Sequence, residues 1–353
     1  MAELTANERL AAVSLLGSLM LERLKSSIAR ELRERLRVLD NRFASEIIVL
    51  LEGLSPREMQ LLVVQRYSTP KLRRFQNILE RMETRSRSEF LQVVKTEAEE
   101  FAKAESEKMI ETVNRIVVKE MPEAVPIGFV SATALATAIS RQPIDADGKT
   151  LNESAREWAS KKRAEALGQV RIGVMSGETP TEIGRRLRGT ERLDQRDGAL
   201  YRTREAAEKR MRTMMTGLAS AVRGLAAKAA KPLMRGVMWN AVLDEKLCVS
   251  CASLHGKIFP IDEGLRPPAH PQCRCHVEML LKFSKTPEVE SVDDFLASQP
   301  IAVQKRILGK TRLKLWREGV KLGDRGFVDK TGRAMTIPEL RDEYDQLFAR
   351  LGI

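Results

Sequence analysis

The stretch CVSCASLHGKIFPIDEGLRPPAHPQCRC, residues 248–275, decides the fold because an otherwise helix-rich sequence changes its chemistry there. It contains all four cysteines of the 353-residue chain and two of its three histidines, and the third, His276, follows directly. Between the C-x-x-C and the H-P-x-C-x-C motifs the stretch is rich in Gly and Pro and supplies little apolar mass for a core. We therefore expect its thiols and imidazoles to hold it in shape.

Two apolar segments border this stretch. MRGVMWNAVLD, residues 234–244, and CHVEMLLKF, residues 275–283, are rich in β-branched, aromatic and other large apolar residues, which favour strands. We predict that the two segments pair, and that residues 248–276 form a long, irregular Cys/His loop between two strands.

The remaining sequence favours helix. Charged residues make up 31% of the chain and aromatic residues 5%. Near the N-terminus, apolar residues such as Leu24, Ile28 and Leu32 recur at helical spacing. Helix-start signals, in which Ser or Thr is followed by Pro and Glu, occur at Ser55–Glu58, Thr179–Glu182 and Thr336–Glu339. The predicted fold class is mainly α with a small antiparallel β element (α+β), with long N-terminal helices.

We divide the chain into four consecutive regions. They are an N-terminal helical region (1–121), a linker with an apolar segment (122–150), a region that carries the Cys/His loop (151–285) and a basic C-terminal tail with a terminal helix (286–353). The apolar run 124–140 is short for a bilayer span and contains Pro126 and Gly128, so we expect a buried helix and no stable membrane span. With no secretory signal, the expectation is a soluble protein made in a reducing cytoplasm.

The chain is strongly basic, with a formal net charge of +12. This charge indicates either contact with a polyanion or a solvated basic surface. The cations concentrate in Arg202–Arg235 and Lys305–Arg325 without the aromatic interleaving that single-strand stacking needs. Candidate contacts to double-stranded DNA, without sequence specificity, are Arg202, Arg204, Lys209, Arg210, Arg212, Lys310, Arg312 and Lys314.

The Cys/His loop leaves three chemical alternatives open. A structural zinc needs four ligands delivered as close pairs, here Cys248 with Cys251, and His270 with Cys273 or Cys275. Disulfides between the first and last pairs suit a particle that leaves the reducing cytoplasm. Thiols without any ligand, ordered by packing and hydrogen bonds, are the third alternative. In each case we expect Asp244, Gly256 and Arg274 to support the loop.

An enzyme is the less favoured interpretation. A hydrolytic zinc keeps one coordination position open and has a carboxylate base beside it, and nothing in the sequence ties Glu263 or Asp262 to the metal. The nucleobase-deaminase order, H-x-E before P-C-x-x-C, is missing. A zinc hydrolase or toxin with His255 or Glu263 as base therefore stays a minor alternative, and we expect no catalytic residues.

The order W…D…C-x-x-C…L-x-G-K…P-P-x-H-P-x-C-R-C resembles the Mu F-like phage head morphogenesis family, the minor head proteins of tailed phages. The matching residues are Trp239, Asp244, Cys248, Cys251, Leu254, Gly256, Lys257, Pro267, Pro268, His270, Pro271, Cys273, Arg274 and Cys275. The segments MSGETPTEIGRRL and YRTREAAEKRM, upstream of this motif, are also similar to the family. The resemblance covers roughly residues 150–285.

The resemblance implies a structural protein of the virion. It would lie in the capsid interior at the portal vertex after assembly in the host cytoplasm, with the portal protein or capsid proteins as partners, and could form a homo-oligomer. It would act in head assembly and in genome packaging or ejection. The alternative is a zinc-dependent DNA-binding protein associated with the packaged genome.

Overall fold

The computed structural model describes residues 4–123, 125–324 and 326–353. Ala124 and Arg325, which belong to two of the segments singled out in the sequence, lie outside the described residues. Within these ranges the protein is mainly helical and has one three-stranded antiparallel sheet. The predicted fold class is confirmed.

Twelve α-helices and three strands are found in the described ranges. The helices are α1 (Ala6–Glu52), α2 (Pro56–Val63), α3 (Pro70–Glu120), α4 (Ala132–Ser140), α5 (Leu151–Met175), α6 (Pro180–Arg188), α7 (Ala199–Ala229), α8 (Val249–Leu254), α9 (Val292–Ser298), α10 (Ile301–Arg317), α11 (Ile337–Glu343) and α12 (Asp345–Leu351). The strands are β1 (Met234–Asn240), β2 (Ile258–Phe259) and β3 (His276–Leu281). The prediction of long N-terminal helices is confirmed by α1 and α3.

The helix-start signals of the sequence form as capping boxes. At α2, α6 and α11 the hydroxyl oxygen of the cap accepts a hydrogen bond from the backbone N–H three residues on, and the Glu there accepts one from the cap N–H. Each box satisfies two backbone donors that a helix end otherwise leaves without a partner. These three predictions, at Ser55, Thr179 and Thr336, are confirmed.

The apolar run before residue 140 is only half helical. Helix α4 starts at Ala132 and buries Ala138 and Ile139, whereas Val125 is 85% exposed and Phe129 60% exposed. Pro126 and Gly128 explain the difference, since both residue types disfavour a helix interior. The prediction of a single buried helix is therefore wrong for the first half of the run. None of the described helices combines the length and hydropathy needed to cross a membrane.

The chain forms two compact units from discontinuous segments. Unit 1 contains the chain up to Leu21, Phe101–Ala138 and Thr216–Ile353; unit 2 contains Glu22–Glu100 and Ile139–Met215. The four consecutive regions drawn from the sequence stay a prediction.

In unit 1 the sheet has the order β2-β1-β3 and is antiparallel throughout. Trp239 of β1 is opposite Val277 of β3, and Val237 is opposite Phe259 of β2. Val237 and Val277 share a buried cluster with apolar residues from the start of α1 and the ends of α3 and α7. The predicted pairing of the two outer segments is confirmed, and β2 is an addition.

A buried arginine connects the helices of unit 1. The Arg223 guanidinium donates to Glu105 Oε1 at 2.7 Å, to the Ser14 carbonyl at 2.9 Å and to Ser18 Oγ at 3.2 Å. Gly17 provides the space, because a Cβ there would lie 2.7 Å from Glu105 Oε2. The group is paired on all sides, as a buried charge requires.

Unit 2 buries a carboxylate between two cations. Asp40 Oδ1 lies 2.5 Å from Lys162 Nζ, and Asp40 Oδ2 accepts from Arg204 at 2.8 Å. Lys162 also donates to Ser86 Oγ at 2.9 Å, and its ammonium lies over the ring of Trp158. Burial lowers the pKa of Lys162, and Asp40 opposes that shift. The carboxylate is what allows two cations to remain inside the helices of this unit.

Asp40→Asn should therefore destabilise the protein strongly. The substitution leaves Lys162 and Arg204 without a counter-charge, which costs about 3–5 kcal/mol for a broken buried pair. Asp194→Asn is the matched control, because Asp194 is exposed and its left-handed backbone suits Asn; a change within about 0.5 kcal/mol is expected there. Urea unfolding followed by circular dichroism measures both. Equal stability of the two variants would contradict this account of the buried triad.

Candidate metal centre

The stretch between β1 and β3 contains regular structure. It includes α8 and β2, so the prediction of an irregular loop is wrong, although its position between two strands is right. Gly256, with φ of +72°, turns the chain after α8, and its N–H donates to the Trp239 carbonyl at 2.8 Å. Because a left-handed residue is needed at this turn, glycine is favoured there.

The first pair of thiols is positioned by the start of α8. Cys248 is the N-cap residue, and its Sγ accepts a hydrogen bond from the Cys251 backbone N–H at 3.3 Å. The C-x-x-C spacing thus becomes the first turn of a helix, which brings both thiols to the same end of α8. Cys251 is buried and Cys248 partly so.

His270 approaches both thiols. Its Nε2 lies 3.1 Å from Cys248 Sγ and 3.1 Å from Cys251 Sγ. The other ring nitrogen, Nδ1, lies 2.8 Å from the Pro271 carbonyl, which can only accept a hydrogen bond. Nδ1 therefore carries a proton, and Nε2 is the ring nitrogen that points at the two sulfurs. This is the arrangement of a metal-binding histidine whose second nitrogen fixes the ring orientation.

The second pair of thiols approaches the same centre from the other side. Cys273 Sγ lies 3.8 Å from Cys251 Sγ, which is the separation of about 3.8 Å that two thiolates have on a tetrahedral zinc with bonds of about 2.3 Å. The Cys273 carbonyl accepts from Thr216 Oγ1 at 2.7 Å, which ties this pair to α7.

The ligand atoms form two overlapping groups of three. Cys248, Cys251 and His270 make one group, and Cys251, Cys273 and Cys275 the other; within each group the atoms lie within 4.8 Å of one another. Cys251 belongs to both groups. We call these five residues the Cys/His cluster. The cluster can hold a metal ion, and the structure therefore brings together every ligand that the sequence proposed.

The electrostatics divide the four thiols of the cluster. Hydrogen bonds within the cluster lower the pKa values of Cys248 and Cys273, whereas the neighbouring sulfurs and burial raise those of Cys251 and Cys275. Hydrogen bonds from Cys251 and His270 lower the pKa of Cys248 to about 5. The neighbouring thiolates of Cys248 and Cys273 raise the pKa of His270 to about 11. All four cysteines are free thiols, so the disulfide alternative has no support in this geometry. Thiolates gathered in a buried place call for a cation, which a metal ion supplies.

The two ends of the stretch are joined by an ion pair. Arg274 donates two hydrogen bonds to the Asp244 carboxylate, from Nη1 at 2.5 Å and from Nη2 at 2.6 Å. The Arg274 hydrogen bonds hold the pKa of Asp244 below its usual value. Asp244 also accepts from the Lys246 N–H at 2.9 Å, which shapes the turn before Cys248. The structure brings the two residues together, and their supporting role stays a prediction.

The cluster shares a hydrophobic core with the C-terminal residues. Cys251, Cys273 and Cys275 belong to one buried set with Trp239 and with residues from α9 to α12. The C-terminal members are Val292, Phe295, Leu296, Ile307, Leu308, Leu313, Leu315, Leu322, Phe327, Val328, Leu340 and Phe348. The expectation of a stretch without apolar support is therefore wrong. The missing mass comes from residues far along the chain, which local sequence did not indicate.

The remaining candidates for catalysis lie apart from the cluster. His255 Nδ1 accepts a hydrogen bond from the Ala241 N–H at 3.0 Å, and burial lowers the pKa of this histidine. Glu263 is exposed. His276, the first residue of β3, has a side chain only 11% exposed, with Nε2 3.4 Å from Glu278 Oε1. None of these three belongs to either ligand group among the described residues.

The predicted DNA contacts are divided by burial. Arg204 is only 2% exposed and is bound to Asp40, so proposing it as a surface contact was wrong. Arg210, Arg212 and Arg312 are half-buried. Arg210 lies beside Ser154 and Glu157, and Arg312 donates to the Met335 carbonyl. Those that stay exposed are Arg202, Lys209, Lys310 and Lys314, with Arg202 3.0 Å from Glu165.

Arg274→Gln should open the stretch without unfolding the chain. It removes the double hydrogen bond to Asp244, worth about 1 kcal/mol for a partly exposed pair. The rate at which a thiol reagent modifies the four cysteines should then rise about fivefold, as about 1 kcal/mol of local opening dictates. Arg306→Gln is the control, since Arg306 forms an exposed pair with Glu245 nearby. An identical rate in both variants would contradict the supporting role of Arg274.

Comparison with known proteins gives one family. Residues 165–278 match the family model described as Phage Mu protein F like protein. The matched segment lies within the range proposed from the sequence and includes β1, α8, β2 and all five residues of the Cys/His cluster. No curated protein and no solved structure shows a significant match to the chain. The segment from residue 165 to residue 278, about a third of the chain, is therefore similar to the Phage Mu protein F-like family.

Proposed function

We propose that this chain is a phage minor head protein with a structural role in head morphogenesis. The family match suggests a phage head-related protein. The observation that carries the proposal is that the matched segment encloses a buried Cys/His cluster, tied at both ends and covered by apolar residues. Such a cluster would make the segment between β1 and β3 rigid enough to serve as a surface for assembly. The portal protein or capsid proteins are the proposed partners, and the capsid interior at the portal vertex is the proposed location.

We propose zinc as the metal, in a structural role. Cys248, Cys251 and His270 supply three ligands, and the Cys251–Cys273 separation favours Cys273 as the fourth. Zinc accepts sulfur and imidazole nitrogen in a tetrahedron, and structural sites take all four ligands from the protein. Cys275 then remains a buried thiol of the hydrophobic core.

An assembly role agrees better with this geometry than catalysis does. A hydrolytic zinc keeps one position for water and a carboxylate base near it. Here the ligand groups contain only thiols and one imidazole, and Cys251, Cys273 and Cys275 are buried. The proposed zinc therefore stabilises the fold, and we propose no reaction for it.

The metal assignment predicts a difference between two neighbouring cysteines. Elemental analysis of purified protein should give about one zinc per chain, and Cys273→Ser should reduce that content strongly, because it removes a ligand. Cys275→Ser is the matched control and should retain zinc. Acidification should release the metal, since the ligands must lose their protons to bind it. If only Cys275→Ser loses zinc, Cys275 is the ligand and Cys273 the buried thiol. Full metal content in both variants would exclude Cys273 and Cys275 as ligands.

The assembly role predicts that a variant without the cross-link is incorporated poorly into phage heads. In the phage that encodes the chain, Cys248→Ser should lower its incorporation into purified heads, because the segment around α8 loses its cross-link. Quantitative mass spectrometry of heads measures the copy number, with Ser250→Ala as the control on the same helix. Normal incorporation of metal-free Cys248→Ser protein would contradict the structural role.

A second candidate function is contact with the packaged genome. The exposure of Lys310 and Lys314 on α10 supports it, because exposed cations at helical spacing can reach phosphates. Such contact would be non-specific and would weaken steeply with salt.

A further inference from the structure

Unit 2 contains a polar cavity that the proposed function does not use. Its volume is about 580 Å³, and it lies between the end of α6 and the beginning of α7. Three arginines line it: Arg185, Arg188 and Arg192. We call this site the arginine pocket. None of its residues was singled out as functional in the sequence.

The loop that forms the arginine pocket closes tightly on itself. Gly189 has φ of +87°, and a Cβ on Gly198 would lie 2.4 Å from the Gly189 nitrogen. Asp197 accepts from the Thr190 N–H at 2.8 Å and from its hydroxyl at 3.0 Å. The glycines allow the two ends of the loop to touch, and the Thr190–Asp197 bonds fix the turn from which Arg192 projects.

The three arginines differ from their neighbours in the contacts of their guanidinium groups. Arg186 binds Glu178 with a 3.0 Å hydrogen bond from Nε, and Arg202 binds Glu165 at 3.0 Å. Within residues 4–123, 125–324 and 326–353, by contrast, the side chains of Arg185, Arg188 and Arg192 make no hydrogen bond or ion pair. Three guanidinium groups therefore face one cavity with their donors available.

The acids at the pocket offset these charges only in part, through the electrostatic interactions of Arg185 with Asp197 and with Glu182. Asp197 lines the cavity, but its oxygens are held by Thr190. Glu191 is exposed at the rim and makes no hydrogen bond or ion pair with the described residues. Three arginines thus outnumber the two carboxylates that line the cavity, and the excess is positive.

We propose that the arginine pocket binds a phosphate group. A guanidinium is planar and offers parallel N–H donors that match the oxygens of phosphate, and it is weakly hydrated, so little is lost when it binds. The cavity is larger than one phosphate, so it accommodates a phosphate that belongs to a nucleotide or to the backbone of DNA. This site is independent of the Cys/His cluster and goes beyond the assembly role.

The full-length protein allows a direct test with defined probes. The probes are a fluorescent 16-base-pair duplex, a mononucleotide, inorganic phosphate and a polyglutamate peptide, measured by anisotropy or by calorimetry over a series of salt concentrations. The test variant is Arg185→Gln/Arg192→Gln, in which both residues are exposed, so the fold is preserved. Arg188→Gln is added with its melting curve recorded. Arg196→Gln is the matched control, because Arg196 is an exposed arginine of the same loop that does not line the cavity.

The proposal predicts a specific pattern of affinities. The double variant should bind the phosphate probe on the order of tenfold more weakly, and Arg196→Gln should match the parent. Glu191→Gln should bind about threefold more tightly, because it removes a repelling charge from the rim; a purely structural role of the loop would not produce that gain. For a duplex that fills the site, the slope of the logarithm of the binding constant against the logarithm of the salt concentration should decrease in magnitude by about 0.9 for each phosphate contact removed. Binding of the mononucleotide without the duplex would instead identify a free nucleotide as the source.

Two results would overturn the proposal. One is a double variant that binds every phosphate probe as the parent does. The other is polyglutamate bound more tightly than any phosphate probe and lost in the same variant, which would make the pocket a site for an acidic protein segment.

Discussion

The contact of one imidazole nitrogen with two thiols is the interaction on which the β-containing part of the protein depends. His270 comes from the end of the stretch and the C-x-x-C turn from its beginning, so Nε2 at 3.1 Å from both sulfurs closes a loop of about twenty residues. The Arg274–Asp244 pair closes the same loop again just outside it. Two closures of different chemistry explain how a stretch rich in Gly and Pro keeps a defined shape.

Local chemistry was readable from the sequence, and long-range packing was not. The capping boxes at Ser55, Thr179 and Thr336, the outer strands and the five ligands depend on spacings of a few residues, and the structure has them where expected. The C-terminal residues complete the core around Cys273 and Cys275 through contacts between residues some seventy positions apart in the chain. No local pattern encodes such a contact, because any apolar helix face would serve.

The exposure of charged side chains was the property that the sequence predicted least well. Neighbouring residues in the sequence do not show whether an arginine of a helix is buried or exposed. Arg204 was therefore counted with the surface cations. Its partner Asp40, more than a hundred and sixty residues away in the chain, neutralises it inside the fold. Arg223 is similar, with Glu105 and the carbonyl of Ser14 as partners. Together with Lys162, these buried groups take only one net positive charge from the surface, because Asp40 and Glu105 are buried with them; the formal net charge of +12 therefore does not show which individual arginines are exposed. Arg185 at the end of α6 and Arg192 in the loop after it are two arginines that stay exposed.

The core shared by the cysteines and the C-terminal helices imposes an order on synthesis. Leu340 and Phe348 belong to the same buried set as Cys251 and Cys273. A nascent chain that ends before these two residues has its thiols open to solvent, and folding of the last helices encloses them. We therefore expect the sulfurs to be more accessible in a nascent chain than in the folded protein, where access requires the terminal helices to detach.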